Sequence, residues 1–282
     1  MRDPAALDSR WLPRWLSEGG RTGEMKLARR GIRKLLKRFG YEVIPYDPNL
    51  DYDDFDLRRE DEELGILSRV GPYTMTSRSR VSALCRAVEY VVVNDIPGDI
   101  VECGVWRGGS MMAAALRLLQ LGDQKRHLYL CDTFEGMTDP QEVDRDPRHR
   151  SAWEWMRSVA TDGKRALAQS LEEVQRNMAS TGFPDARIHY VKGPVEETLP
   201  NAAPDQISIL RLDTDWYEST RHELIHLYPR LAVGGILILD DYGYWRGARK
   251  AVDEYIAEHR LRLYLHRIDH SGRLAVKIDA GP

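Results

Sequence analysis

Between residues 77 and 93 apolar side chains return every three or four positions: Val81, Leu84, Cys85, Val88 and Val92 would line one face of a helix. Pro97 and Gly98 punctuate its end. Beyond them, short apolar runs at 100–103, 127–131, 187–191, 207–212 and 235–239 predict strands. Helical patterns at 110–121, 165–180, 219–231 and 246–259 alternate with those strands. Residues 261–268 and 273–278 predict a closing antiparallel pair that turns at Ser271 and Gly272. Such alternation predicts an α/β fold with a largely parallel sheet. Ligands of these sheets sit at the carboxyl ends of the strands, so chemistry is sought just past each strand. One stretch breaks the pattern. Residues 139–160 are polar, with Asp144, Arg145, Asp146, Arg148, His149 and Arg150 ahead of Trp153 and Trp155. Their place between the second strand and its helix predicts either a lid or a surface insertion.

The first sixty residues follow another logic. Lys26, Arg29, Arg30, Arg33, Lys34, Lys37 and Arg38 meet no acid between residues 25 and 39. Ala28, Ile32, Leu35, Leu36 and Phe39 recur among them at helical spacing, which predicts a basic amphipathic helix. An acidic run from Asp47 to Glu63 comes next. The chain therefore divides into an N-terminal extension, 1–63, and a main domain, 64–282. The basic helix suits pairing with the acidic run or with a second copy of the chain, so a homo-oligomer is expected. Peripheral membrane contact through 25–39 is the sharper alternative. Over the whole chain 41 Lys and Arg meet 44 Asp and Glu, a net charge of −3, which argues against a nucleic-acid partner. The longest strongly apolar uncharged run, 231–239, is far short of the ~20 residues of a membrane-spanning helix. The opening residues enter no apolar stretch, which predicts no secretory leader. Cys85, Cys103 and Cys131 form no disulfide framework and are expected as buried, reduced thiols in a cytoplasmic protein.

Past the first strand runs Glu102-Cys103-Gly104-Val105-Trp106-Arg107-Gly108-Gly109-Ser110. Glycines there let a ligand approach the backbone, and the free N–H groups of the following helix favour an anionic group. The dinucleotide fingerprint is broken, because Trp106 stands where its second glycine belongs. A tight turn without a ligand fits the stretch equally well. Asp132, after the second strand, shifts the balance: paired with a glycine turn, its carboxylate suits the two hydroxyls of a ribose. Glu102 beside the turn suits an ammonium better than a phosphate. Together they favour S-adenosylmethionine over NAD.

These segments resemble the class I S-adenosylmethionine methyltransferases, and among them the macrocin O-methyltransferase (TylF-like) family. The resemblance rests on Tyr73-Thr74-Met75-Thr76-Ser77-Arg78, the glycine turn, Asp132-Thr133-Phe134-Glu135-Gly136, the stretch from Gly193 to Leu199, Leu212-Asp213-Thr214-Asp215-Trp216-Tyr217-Glu218-Ser219-Thr220, and Gly234-Gly235 leading to Asp240-Asp241-Tyr242. It implies a Rossmann-like α/β fold: a seven-stranded, mostly parallel sheet with helices on both faces and an antiparallel C-terminal strand pair. It places Thr74 and Met75 near the donor's methionine part, Glu102, Gly104 and Ser110 around its amino-acid end, Asp132 at the ribose and Gly193 by the adenine.

Asp213 and Asp215 follow the fourth core strand, and Asp240 and Asp241 the fifth, so four carboxylates converge if those strands are neighbours. Like charges crowded together need a cation, and an all-oxygen set suits Mg²⁺. A helix cap is the simpler account of any one of them. The resemblance implies metal ligation by Asp213, Asp240 and Asp241. Proton removal from the acceptor hydroxyl calls for a carboxylate base, Asp213 or its rival Asp215. Two departures stand out: Gly243 occupies the place where some relatives carry a histidine, and Thr214 the place where catechol-type relatives carry a lysine. Trp153, Trp155, Tyr217, Tyr244 and Trp245 are candidates to stack on a sugar, or are ordinary core. The expected function is thus Mg²⁺-dependent O-methylation of a sugar hydroxyl, on a glycosylated natural product or a bacterial glycan. An NAD or nucleotide enzyme on a similar sheet, or a non-catalytic S-adenosylmethionine-binding module, is the alternative.

Overall fold

Seven strands form one sheet, ordered β3-β2-β1-β4-β5-β7-β6. In the computed structural model, which describes residues 60–160 and 165–279, these are β1 (Asp99–Cys103), β2 (Leu128–Asp132), β3 (Ile188–Lys192), β4 (Ile207–Leu212), β5 (Leu231–Leu239), β6 (His266–Arg267) and β7 (Arg273–Val276). The first five run parallel, and β7 pairs antiparallel with both β5 and β6. The basic segment 25–39 lies outside the described residues. Strands β1 and β4 are buried at nearly every position, as a sheet covered on both faces requires.

Eight α-helices complete the described chain: α1 (Glu60–Val70), α2 (Arg78–Val93), α3 (Gly109–Gln120), α4 (Ala152–Val159), α5 (Leu171–Ala179), α6 (Val195–Thr198), α7 (Tyr217–Leu227) and α8 (Arg246–Glu258). Helix α2 starts where Ser77 Oγ accepts the Arg80 N–H, and it buries Val81, Leu84, Cys85, Val88 and Val91. One layer of the core joins α1, α2, α3 and α5 to the sheet, through residues such as Ile66, Leu84, Met112 and Val174. The other packs α7 and α8 against it through Leu224, Leu227, Val252 and Tyr255. Cys85, Cys103 and Cys131 are free and buried, as expected.

Three differences from the sequence pattern have local causes. The helix expected over 165–180 starts only at Leu171, because Ser170 Oγ accepts the Glu173 N–H and fixes the first turn there. Upstream, Ala166 turns back so that its carbonyl accepts the Met137 N–H at 3.0 Å. The helix expected over 219–231 ends at Leu227, and a 3-10 turn through Pro229 hands the chain to β5 at Leu231. The polar stretch 139–160 contains α4 and is fastened to the domain. Asp144, fully buried, accepts the Gln141 and Tyr217 N–H groups at 2.7 and 2.9 Å.

Candidate active site

A row of backbone hydrogen bonds crosses the carboxyl ends of the parallel strands. The Gly193 N–H donates to Asp132 O at 3.0 Å, Gly104 to Cys131 O at 2.9 Å, Asp213 to Cys103 O at 2.8 Å, and Asp240 to Leu212 O at 2.9 Å. Above this floor lies a cavity of about 340 Å³, within the range of small-molecule sites. Gly104, at φ 83°, carries the chain over the end of β4. A Cβ there would stand 2.0 Å from Asp213 O, so the glycine turn and the acid strand are in backbone contact.

Asp213, Asp240 and Asp241 meet at one end of the cavity, with one oxygen of each within 4.8 Å of the others. Two arginines are built into this cluster. Arg211 is the register partner of Glu102 on the adjacent strand, so both point to the same face. Its Nη1 reaches Glu102 Oε1 at 2.5 Å and Asp213 Oδ2 at 2.7 Å, and its Nη2 binds Asp240 Oδ1. Arg80 binds the other Asp240 oxygen through Nη1 and Asp269 Oδ2 through Nε at 3.0 Å. Thr76 Oγ1 adds a hydrogen bond to Asp240 Oδ1 at 3.2 Å. Asp241 Oδ2 is buried and accepts from no N–H or hydroxyl group, and the Asp241 carboxyl has the Asp215 carboxyl within hydrogen-bond reach.

Burial, and after it the neighbouring acids, makes these carboxylates more basic than free ones. Burial, then the neighbouring Asp213, pushes Asp215 up to about 8. Burial pushes Asp213 and Asp241 well above the usual carboxylate range as well, Arg211 opposing it for Asp213. Glu102 is pushed up to about 7 by burial, against the pull of Arg211. Burial works against the Arg211 cation, but Asp213, Asp240 and Glu102 hold it charged. An all-oxygen set with a buried oxygen that no N–H or hydroxyl group satisfies fits a hard divalent cation.

At the other end, Asp132 Oδ2 accepts the Val105 and Trp106 N–H groups at 2.7 and 3.2 Å, and Oδ1 accepts the Phe134 N–H at 2.7 Å. The carboxylate thus ties the end of β2 to the glycine turn, and Thr133 Oγ1 adds a weaker hydrogen bond to Oδ1 at 3.4 Å. Thr74, Met75, Ser110 and Gly193 line the cavity beside it.

Residues 44–275 match the family described as macrocin-O-methyltransferase (TylF). The chain belongs to that family. It is an S-adenosylmethionine-dependent O-methyltransferase. It is 35% identical over 241 residues to demethyldecarbamoylnovobiocin O-methyltransferase of Streptomyces niveus, covering 85% of this chain and 88% of that protein. It is 34% identical over 250 residues to 8-demethyl-8-(2,3-dimethoxy-alpha-L-rhamnosyl)-tetracenomycin-C 4'-O-methyltransferase of Streptomyces olivaceus, covering 86% and 88%. The solved structure of the O-methyltransferase NovP superposes with a TM-score of 0.66 at 33% identity, covering 81% of this chain and 93% of that one. The seven-stranded, mostly parallel sheet with its antiparallel C-terminal pair is the class I methyltransferase fold that the resemblance implied.

Of the expected site residues of this methyltransferase, Thr74, Met75, Gly104, Ser110, Asp132, Gly193, Asp213, Asp240 and Asp241 all line the cavity. Glu102 does not. It lies beneath the floor, 1% exposed, as the partner of Arg211. Trp155, Tyr244 and Trp245 line the outer wall, with Trp155 and Tyr244 each edge-on to Trp245 at 5.6 and 5.1 Å. Trp153 points to solvent, and the Tyr217 hydroxyl is taken by Glu254 at 2.7 Å. His149 accepts from Arg246 at 3.0 Å and is not among the lining residues. Gly243 has no room for a side chain, because a Cβ there would meet His270 O at 2.1 Å. Arg211, Arg80 and Thr76 escaped the sequence reading. Arg211 alone had a signal, as a charge in the otherwise apolar end of Ile-Ser-Ile-Leu-Arg-Leu.

Proposed function

We propose that this methyltransferase transfers the methyl group of S-adenosylmethionine to a sugar hydroxyl, with Mg²⁺ held by Asp213, Asp240 and Asp241. The observation that carries the metal is the buried Asp241 Oδ2, satisfied by no N–H or hydroxyl group, beside two carboxylates already gathered at the cavity's inner end. Bound there, the cation would lower the pKa of the acceptor hydroxyl and hold it in place. Asp213 Oδ2 accepts from Arg211, so Oδ1, with its two lone pairs, is the atom that would serve both the cation and the hydroxyl's proton. The donor's ribose belongs at Asp132, its adenine near Gly193, and its amino-acid end near Thr74, Met75 and Ser110. Alignment of donor and acceptor in one walled cavity supplies much of the remaining rate. For the acceptor, the support is twofold. The relative from Streptomyces olivaceus is named for a rhamnosyl compound. Trp155 and Tyr244, backed by the buried Trp245, offer aromatic surface against which the apolar side of a sugar ring packs.

Excess EDTA should abolish methyl transfer to a rhamnoside acceptor, and Mg²⁺ should restore it. Asp213→Asn and Asp240→Asn should each lose activity by at least about a hundredfold, since an amide is a poorer ligand for a hard cation and cannot serve as the base. S-adenosylhomocysteine binding, measured by calorimetry, should survive in both. Full activity in chelator with metal content confirmed absent would make the acids structural. Turnover of catechols in preference to glycosides would overturn the acceptor class.

A further inference from the structure

Asp240 has both carboxylate oxygens on guanidinium groups, Oδ1 on Arg211 and Oδ2 on Arg80. A cation that takes Asp240 as a ligand meets the positive charge of one of them at whichever oxygen it takes. The two arginines are held very differently. The Arg211 side chain is 3% exposed and serves three carboxylates at once. If it left, Glu102 would remain beneath the floor without a counter-charge, and one Glu102 oxygen already has no partner. Arg80 stands in the cavity wall. Its Nε is held by Asp269 Oδ2 at 3.0 Å, whatever its Nη1 does. Asp269 is in turn fixed by Ser77 Oγ at 2.6 Å and by the Ser271 and Gly272 N–H groups at 2.8 and 2.7 Å. Releasing Asp240 therefore costs Arg80 one partner and leaves it the other. Displacing Arg211 would strip Glu102 and Asp213 of their guanidinium partner, while Asp240 would keep Arg80.

We propose that Arg80 is a stand-in for the divalent cation, neutralising Asp240 while the centre is empty and yielding that carboxylate when the cation binds. The inference rests on the metal reading above. Under it Arg211 is the permanent organiser of the cluster and Arg80 the exchangeable charge, with Asp269 as the anchor to which it retires. Two cations cannot share one carboxylate without repulsion, so the arginine and the metal compete.

The test is Mn²⁺ binding by the full chain, followed by electron paramagnetic resonance of the free ion, in the wild type, Arg80→Met and Asp269→Asn. Arg80→Met should bind Mn²⁺ at least about fivefold more tightly, because its competitor is gone. Without metal it should melt below the wild type, and it should gain more from added Mn²⁺. Asp269→Asn keeps an Oδ1 acceptor for the turn but removes the charge that holds Arg80 back, so it should bind Mn²⁺ more weakly. A folded Arg80→Met with equal or weaker affinity overturns the proposal. Should that variant fail to fold, unchanged or tighter binding by Asp269→Asn overturns it instead. A wild type that takes up no Mn²⁺ defeats the metal reading itself. A wild type that binds, with both variants unchanged, defeats only the role of Arg80.

Discussion

Asp144 never reaches the cavity, yet it sets where α7 begins. The residue before that helix, Trp216, offers no side-chain cap, and the Asp144 carboxylate supplies one from a distant part of the chain. Its second oxygen closes its own turn on the Gln141 N–H. Asp144→Ala would leave both donors unpaired and should lower stability in urea unfolding by about 1–3 kcal/mol. Asp144→Asn, with one acceptor oxygen in place of two, should fall between. The contrast with the cavity acids shows what a sequence reveals about single residues. Asp132, Asp213, Asp240 and Asp241 were legible because each directly follows a predicted strand. The partners of Asp144, Arg80 and Arg211 depend on which segments fold against one another, and a linear pattern carries no trace of that.

At the scale of elements, strands were read more truly than helices. Each parallel strand announces itself as a short apolar run, and every one stands within four residues of its expected start. Helix ends follow caps and tertiary turns, which is why α5 lost its first six expected residues to Ser170 and α4 went unread in a polar stretch. The turn between β6 and β7 shows how an element is held to its neighbours. Burial would raise Asp269, but hydrogen bonds from Ser77, Gly272 and Ser271 together with the Arg80 charge bring it down to about 2. An unfolded Asp titrates near 3.9, so this folded pKa is depressed. The stabilisation, about 2 kcal/mol, is complete above pH ~4 and is lost as pH falls towards 2. The melting-temperature gap between wild type and Asp269→Asn should therefore be full at pH 7 and shrink between pH 4 and 3. A gap that ignores pH would mean that the charge at Asp269 contributes nothing.

Across the whole molecule the sheet order does the sorting. The expected donor residues sit at the ends of β1, β2 and β3, save Thr74 and Met75 ahead of α2, and the acids past β4 and β5, so the two halves of the cavity meet where the strand order reverses, between β1 and β4. Both halves, and the helices that cover them, lie within residues 60–279. Removal of residues 1–59 should leave S-adenosylhomocysteine raising the melting temperature as much as it does in the full chain. Loss of that shift would assign the N-terminal extension a part in the donor site. The α/β class and the converging acids were legible from the alternation of elements alone, because that alternation admits few topologies. The arginine-neutralised interior of the cluster was not, since it comes from register.

The backbone row under the cavity has a consequence for deuterium exchange. Four amides, those of Gly193, Gly104, Asp213 and Asp240, each donate to the strand beside them, and so they open only when neighbouring strands part. In the free protein they should exchange slowly, which leaves a bound ligand little to slow. The footprint of donor or acceptor will appear instead in the walls, at residues 74–76, in α4 and in the turn at 269–272, while the floor registers only the opening of the sheet itself.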